Sequence, residues 1–457
     1  MEPVSEAAEA GANSPSRAPA SVNMRPSKAS ALEAPNGTDR REVKDQDAPP
    51  AKGLAVVFSS LRHRDYRYLW TGTLCMSAGQ WIQQVTLGWL LYDLTGSAVL
   101  LGVLNGVRSM PFLFLGPIAG VAADRMDRRK MLLVIQPLLA ITTVVMGLLV
   151  ASHLVQVWHL FVFTLITASL WSINQPVRQT LVPNLVPKRD LMNALALNSM
   201  AFNSMKVIGP AVGGLLIAMS GAADNFFVQG VVYSGLVVLI YLMKCPPTPP
   251  NARRESAFAN LKEGLAYVWS TPLIFGLITL SLIPQMLSLP LTQALMPVFS
   301  KDVLGVGPDG LGLLLAAPGV GAVAATFVLA VHGERIKRKG VLMLAGLIML
   351  GVFLILFSQS QAFPVALAML VGVGGFQMIY MTTVQSVVQV VVPDHLRGRV
   401  MSIQMLNQGL GPGGALVAGL STQLFGARFT VTAMGVLVIA LTIVVAWFIP
   451  RVRQLET

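Results

Sequence analysis

Arg108 and Lys206 each interrupt an otherwise apolar run of the 457-residue chain. A cation in hydrocarbon is costly unless it hydrogen-bonds nearby carbonyls or attracts an anionic group. Neither has an acidic neighbour one helical turn away, and each lies close to a proline, Pro111 or Pro210, whose freed backbone carbonyls offer a purely structural partner. Neutral amides recur in the same kind of run: Gln80, Gln84, Asn174, Gln285, Gln293, Gln377 with Tyr380, and Asn407. Gln80 and Gln84, four apart, share a helix face. Such groups either bind a solute by hydrogen bonds or tie helices together. No Asp or Glu falls near the middle of an apolar run: Asp93, Asp224, Asp302 and Asp309 sit at one set of ends, and Asp124, Asp190, Glu334 and Asp394 at the other. There is no Walker loop, no metal-type cluster and no nucleophile beside a base, and His63, His153, His159, His332 and His395 are dispersed. These residues suit recognition and conformational change. They exclude an enzyme and imply no cofactor and no metal.

The elements that must position them are membrane spans. Of the 457 residues 54% are hydrophobic and 12% charged, and the mean hydropathy is +0.65; an ordinary soluble domain carries roughly 25% charged residues. The net charge of +12 sits in short gaps between apolar runs, the pattern of positive cytoplasmic loops, so no nucleic-acid partner is implied. Cys75 and Cys245 are too few and too scattered for a disulfide frame. Runs of about 18 or more apolar residues predict twelve crossings. The first six are 66–91, 99–121, 131–151, 157–177, 191–219 and 226–243; the second six are 273–299, 311–331, 341–357, 365–387, 400–424 and 429–449. The domain reading is a disordered tail over 1–57, a six-helix half over 58–243, a linker with a short surface helix over 244–270, a second half over 271–450 and a tail over 451–457. Basic residues such as Arg128, Arg129, Lys188, Arg189, Arg253, Arg338, Lys339 and Arg451 fall on one side of these crossings, which places both termini in the cytoplasm.

Between the second and third runs lies a cluster of charge, Asp124-Arg125-Met126-Asp127-Arg128-Arg129-Lys130, with a weaker partner at Glu334-Arg335-Ile336-Lys337-Arg338-Lys339 in the second half. Val186-Pro187 leading to Asn193-Ala194 likewise matches Val392-Pro393 leading to Arg399-Val400, followed by Gly209-Pro210 and Gly411-Pro412. Duplicated six-span units around a central site are a transporter plan.

Gly120-Val121-Ala122-Ala123-Asp124-Arg125-Met126-Asp127-Arg128-Arg129 resembles the signature loop of the major facilitator superfamily, with Asp127 where Gly is usual. Gln80-Trp81 with Tyr92-Asp93-Leu94-Thr95-Gly96-Ser97, Arg178-Gln179-Thr180-Leu181-Val182-Pro183, and Val392 through Ser402 are similar to the branch containing the enterobactin exporter and related drug and siderophore efflux proteins. Gly209-Pro210-Ala211-Val212-Gly213-Gly214 is similar to the end of the exporters' antiporter motif, with Met205 and Ala196 in place of its upstream glycines.

The resemblance implies an all-α polytopic membrane protein with twelve transmembrane helices in two pseudo-symmetric six-helix halves. It implies secondary active export of a small amphipathic or anionic molecule by alternating access, with H+ as coupling ion through a peripheral carboxylate such as Asp93, in a monomer of the plasma membrane. A lysophospholipid-like carrier is the alternative, and a non-transporting receptor a further one. It also implies a conformational gate at Gly120, Asp124, Arg125, Arg128, Arg129, Glu334 and Arg335, in which Asp124 latches spans two and eleven while the protein opens outward. Spans one, four, seven and ten would line the cavity, bringing Gln80, Gln84, Asn174, Gln285, Gln377 and Tyr380 towards the solute, together with Arg108, Lys206 and Asn407.

Overall fold

Several helix junctions among the described residues are built on a residue suited to them. The computed structural model describes residues 58–115, 126–243, 265–266, 268–333, 336, 338–393, 396, 400 and 411–455. Helix α1 (Arg64–Thr95) ends at Gly96, whose φ of 59° is the left-handed conformation that terminates a helix. Ser97 then caps α2 (Ala98–Phe114), its side chain accepting from the Leu100 N–H at 3.3 Å. Asp127 caps α3 (Arg128–Ala151) by accepting from the N–H groups of Arg129 at 2.9 Å and Lys130 at 3.3 Å. Gln156 and His159 form a capping box for α4 (Val157–Leu185). A 3-10 turn, Lys188–Asp190, leads into α5 (Leu191–Ser220), and Gly221 at φ 92° turns the chain into α6 (Ala222–Leu242).

The second half follows the same order: α7 (Pro272–Val303), α8 (Pro308–His332), α9 (Lys339–Gln359), α10 (Phe363–Val391), α11, described over Gly411–Phe425, and α12 (Ala427–Phe448), ending in a short α13 (Pro450–Arg453). Nine helices among the described residues are long and apolar enough to cross a membrane, and α2 adds a shorter apolar segment, Ala98–Phe112. Helix α1 carries Arg64, Asp65 and Arg67 at its start and three glutamines at its centre, which dilutes its apolar character.

The fourth crossing runs past its expected end at 177, because α4 continues to Leu185 through both Pro176 and Pro183; membrane helices tolerate proline where neighbours take up the freed backbone groups. Helix α7 is not uniformly α-helical, with π turns at Leu291–Leu295 and Phe299–Val303 beside Pro290 and Pro297. Pro297 has no N–H to offer the carbonyl of Gln293, and the Asn105 side-chain amide of α2 donates to that carbonyl at 2.9 Å.

The packing repeats between halves. Helix α3 packs on α6 as α9 packs on α12, and α4 packs on α2 as α10 packs on α8. Exchanging the halves converts the α5–α8 contact into the α11–α2 contact, and these are the two main seams between them. Both seams run along the helix ends that carry Asp93, Asp224, Lys301, Asp302 and Asp309, called here the far end; the other, holding Arg128, Arg129, Lys188, Arg338 and Arg451, is the basic end. Glycines let the seams close: a Cβ on Gly102 of α2 would lie 2.6 Å from the Ala415 carbonyl oxygen of α11, and one on Gly419 would lie 2.5 Å from that of Ala98.

Candidate functional site

A little over one turn of α1 places Gln80, Gln83 and Gln84 against α2 and α4. There they line a narrow cavity together with Arg108, Thr164, Thr167 and Trp171. Arg108 donates from Nη1 to Gln84 Oε1 at 3.3 Å, and Gln83 donates from Nε2 to Thr167 Oγ1 at 3.1 Å. The structure thus brings together three of the residues singled out in the sequence, Gln80, Gln84 and Arg108, with Gln83, Thr164 and Trp171, which were not. Gln83 was overlooked because it lies one position off the Gln80–Gln84 face.

Lys206 lies on α5 with Nζ 6.0 Å from the centroid of the Trp81 ring, a cation–π distance, and its residue surface is exposed. Trp81 in turn faces Phe202 at 6.4 Å. The other nominated amides are spread out. Asn174 is fully buried on α4 with neither amide atom hydrogen-bonded. Gln285 of α7 reaches towards α11, its Nε2 lying 3.0 Å from where a Cβ on Gly411 would stand. Gln377 is half-buried on α10. Tyr380 is 3% exposed in the core of the second half, its backbone and Cβ against Gly346 of α9. Asn407 lies outside the described residues.

At the basic end, Gly120, Asp124, Arg125, Glu334 and Arg335 lie outside the described residues, as do the tail over 1–57 and most of the linker. The two gate arginines that are described bind backbone carbonyls of their own half. Arg128 donates to the Thr180 carbonyl of α4 at 3.0 Å. Arg129 donates to the last carbonyls of α6, Ile240 at 3.2 Å and Tyr241 at 2.5 Å, with its guanidinium 5.9 Å from the Tyr241 ring centroid. A cation at a helix C-terminus meets both orphan carbonyls and the negative end of the helix dipole.

The antiporter-like residues are packing devices. Gly209 admits Trp81, whose Cβ would be 2.7 Å from an added Cβ, and Gly213 admits Ile82 of the same helix. Pro210 offers its carbonyl to Gly312 of α8 at 2.5 Å from a Cβ there, and Gly214 meets the backbone of Gly312, whose Cα would be 2.8 Å from an added Cβ. One face of α5 therefore seals on α1 and the other crosses to the second half.

Two further constellations join residues that the sequence presents only separately. Arg178, 7% exposed, donates to the Leu69 carbonyl at 2.8 Å, to Thr73 Oγ1 at 3.2 Å and to Met76 Sδ at 3.2 Å. It was placed beyond the end of span four, whereas its spacing of four from Asn174 was the available signal. At the far end Tyr92 donates its hydroxyl to Asp302, and Lys301 pairs with Asp93 at 2.5 Å while lying 5.9 Å from the Trp89 ring centroid. Opposite charges at the equivalent ends of α1 and α7 were visible, but only the fold makes those ends neighbours.

Residues 55–457 match the family model described as transmembrane secretion effector. The chain belongs to that family of major facilitator transporters. It is similar to the multidrug efflux pump Tap of Mycolicibacterium fortuitum, 28% identical over 392 residues that cover 84% of this chain and 95% of the pump. It is also similar to the staphyloferrin A transporter of Staphylococcus aureus, 26% identical and covering 85% of this chain and 97% of that one. Among solved structures, a bacterial homolog of the human lysosomal transporter Spinster superposes with a TM-score of 0.68 at 15% identity over 85% of this chain and 98% of the other. A D-xylose–proton symporter gives 0.66 at 14% identity over 85% and 99%. These structural likenesses carry the fold. The protein is accordingly a multi-pass transporter of the plasma membrane that acts on a small molecule, and not an enzyme.

The far-end joint of this transporter gives a first expected result. Asp93 and Lys301 are 51% and 40% exposed, and a pair so wet is worth about 0–1 kcal/mol. Tyr92 is 5% exposed, and losing a charged acceptor leaves a buried hydroxyl unmatched at roughly 1.5–3 kcal/mol. Asp302→Ala should therefore shift the far end towards opening about tenfold and Asp93→Ala only about twofold, measured as the rate at which a membrane-impermeant maleimide labels Ala418→Cys. Equal effects would contradict this ranking.

Proposed function

We propose that the transporter exports an amphipathic or anionic small molecule, of drug or siderophore type, by alternating access coupled to H+, and that it works as a monomer with both termini and the basic end in the cytoplasm. The observation that carries the reading is the polar cavity with Arg108 at mid-membrane in a chain whose halves are sealed along α2–α11 and α5–α8 at the far end. With the basic end cytoplasmic, these far-end seams close the outward side, as loading of a cytoplasmic solute requires. Relatives named as an efflux pump and a siderophore transporter support the substrate type. Asp93 and Asp302 are the proposed coupling carboxylates, since a proton taken by either would loosen its contact with Lys301 or Tyr92. Asp124 is proposed as the latch of the outward-open state, in which the basic ends of α2 and α11 meet. Gln285, Gln377, Tyr380 and Asn407 are proposed to meet the solute from the second half.

The test compares cells with and without the protein for export of a fluorescent drug panel and of the host's own metabolites, before and after collapse of the proton gradient. Export that needs both the protein and the gradient supports the reading. Accumulation identical in both cells removes it. In the same assay Asp124→Asn is expected to lose export at normal abundance, and unchanged export would remove the latch.

A further inference from the structure

The cavity between α1, α2 and α4 belongs wholly to the first half, and its polar groups do not satisfy one another. Arg108 brings five N–H donors and spends one on Gln84, at a long 3.3 Å. Among the described residues no carboxylate lies within 4.0 Å of its guanidinium; the ion pairs there join His63 and Arg189 to Asp190 and Lys301 to Asp93. Three buried acceptors are also left over. Gln80 Oε1, Gln83 Oε1 and Thr164 Oγ1 have no hydrogen-bond partner. The Gln83 amide is oriented by its bond to Thr167, so its oxygen is the atom presented. Beside these groups stand Trp171, Leu87 and Phe112, an apolar wall.

We infer that this cavity is a headgroup subsite for a carboxylate that carries a hydroxyl or amide N–H donor on the adjacent carbon, held by Arg108 through the carboxylate and by Gln80 or Gln83 through the donor, with the aromatic or aliphatic body of the solute against Trp171. The charge argument comes first. A guanidinium matches a carboxylate by a two-pronged, charge-assisted pair, and a desolvated cation without an acid selects an anion from the mixture offered. The second argument is stoichiometric: a bare carboxylate brings only acceptors, which would leave the glutamine oxygens unmatched in a buried site, whereas a neighbouring hydroxyl satisfies one of them. This deepens the export reading, on which it rests for the cavity's place in the transport path.

Trp171 reports on the subsite directly. The purified protein is titrated in detergent with three brominated quenchers of matched shape, 4-bromomandelate, 4-bromophenylacetate and 4-bromophenethylamine, and Trp171→Phe identifies the Trp171 component of the fluorescence. Quenching of that component is expected to saturate with both acids, a fewfold earlier for the mandelate, and to stay unsaturated with the amine. Arg108→Gln should weaken the acids by about tenfold or more, and Arg108→Lys, which keeps the charge and loses the fork, by less. The inference is overturned if the amine quenches at the same midpoint as the acids, or if folded Arg108→Gln, eluting as a single symmetric peak, binds the mandelate as the parent does. Should Arg108→Gln not fold, the parent's acid-to-amine and mandelate-to-phenylacetate comparisons decide alone. Acid-selective binding without cellular export keeps the subsite and removes the export reading; export with charge-blind quenching does the reverse.

Discussion

Gly214→Val is expected to abolish transport while leaving the protein folded and at normal abundance. Gly214 lies on the α5–α8 seam, where an added Cβ would overlap the Pro308 carbonyl oxygen and stand 2.8 Å from Gly312 Cα and 2.9 Å from its N. All three atoms are backbone, so no rotamer change relieves the clash. Relief comes only by moving α5 from α8, which means parting the halves. Overpacking of this kind costs about 1–3 kcal/mol, equivalent to roughly a 5–150-fold shift between two states, and it falls entirely on the state closed at the far end. Each half keeps its own packing. A cysteine at Ala418, 0% exposed on α11, in a background with Cys75 and Cys245 replaced by Ser, reports the opening: a membrane-impermeant maleimide should label it quickly with Val at 214 and slowly without. Normal transport with slow labelling would show that the seam does not limit the cycle.

Gly374→Val should fail differently. Its added Cβ would overlap the Pro318 carbonyl oxygen of α8 and lie 2.5 Å from Pro318 Cα, but α10 and α8 pack within the same half, so parting the halves does not relieve it. The clash therefore reaches the fold itself at roughly 3 kcal/mol or more. The expected result is a loss of monodisperse protein on detergent extraction, with Gly374→Ala intermediate. A symmetric peak at parental yield would mean that α8 and α10 can separate without loss of the half. The two valines together distinguish glycines that serve motion from glycines that serve assembly.

The number and order of helices, the basic side and the duplication could be read from hydropathy and from the spacing of charged turns, because lipid forces long apolar runs and charges to their ends. Helix ends were harder to read. Pro183 suggests a stop in water, yet α4 passes through it, and this hid Arg178 inside the bundle. The site was only half visible. Arg108 and Lys206 stood out as charges among apolar residues, and Gln80 and Gln84 by spacing; Gln83 and Trp171 join them only because α1 and α4 cross there. Tyr92 with Asp302 and Asp93 with Lys301 depend on residues more than two hundred positions apart meeting, which no local pattern encodes.

Arg128 and Arg129 are fastened to α4 and α6, and Asp127 to the first turn of α3. These bonds lie within one half, so rocking the halves neither breaks nor forms them. The first turn of α3 then behaves as a door jamb fixed to the frame, and whatever closes against it must be brought there by the second half. Substitutions at Arg128 or Arg129 would loosen the frame, whereas those in the second half that spare its own packing would alter only how the door shuts.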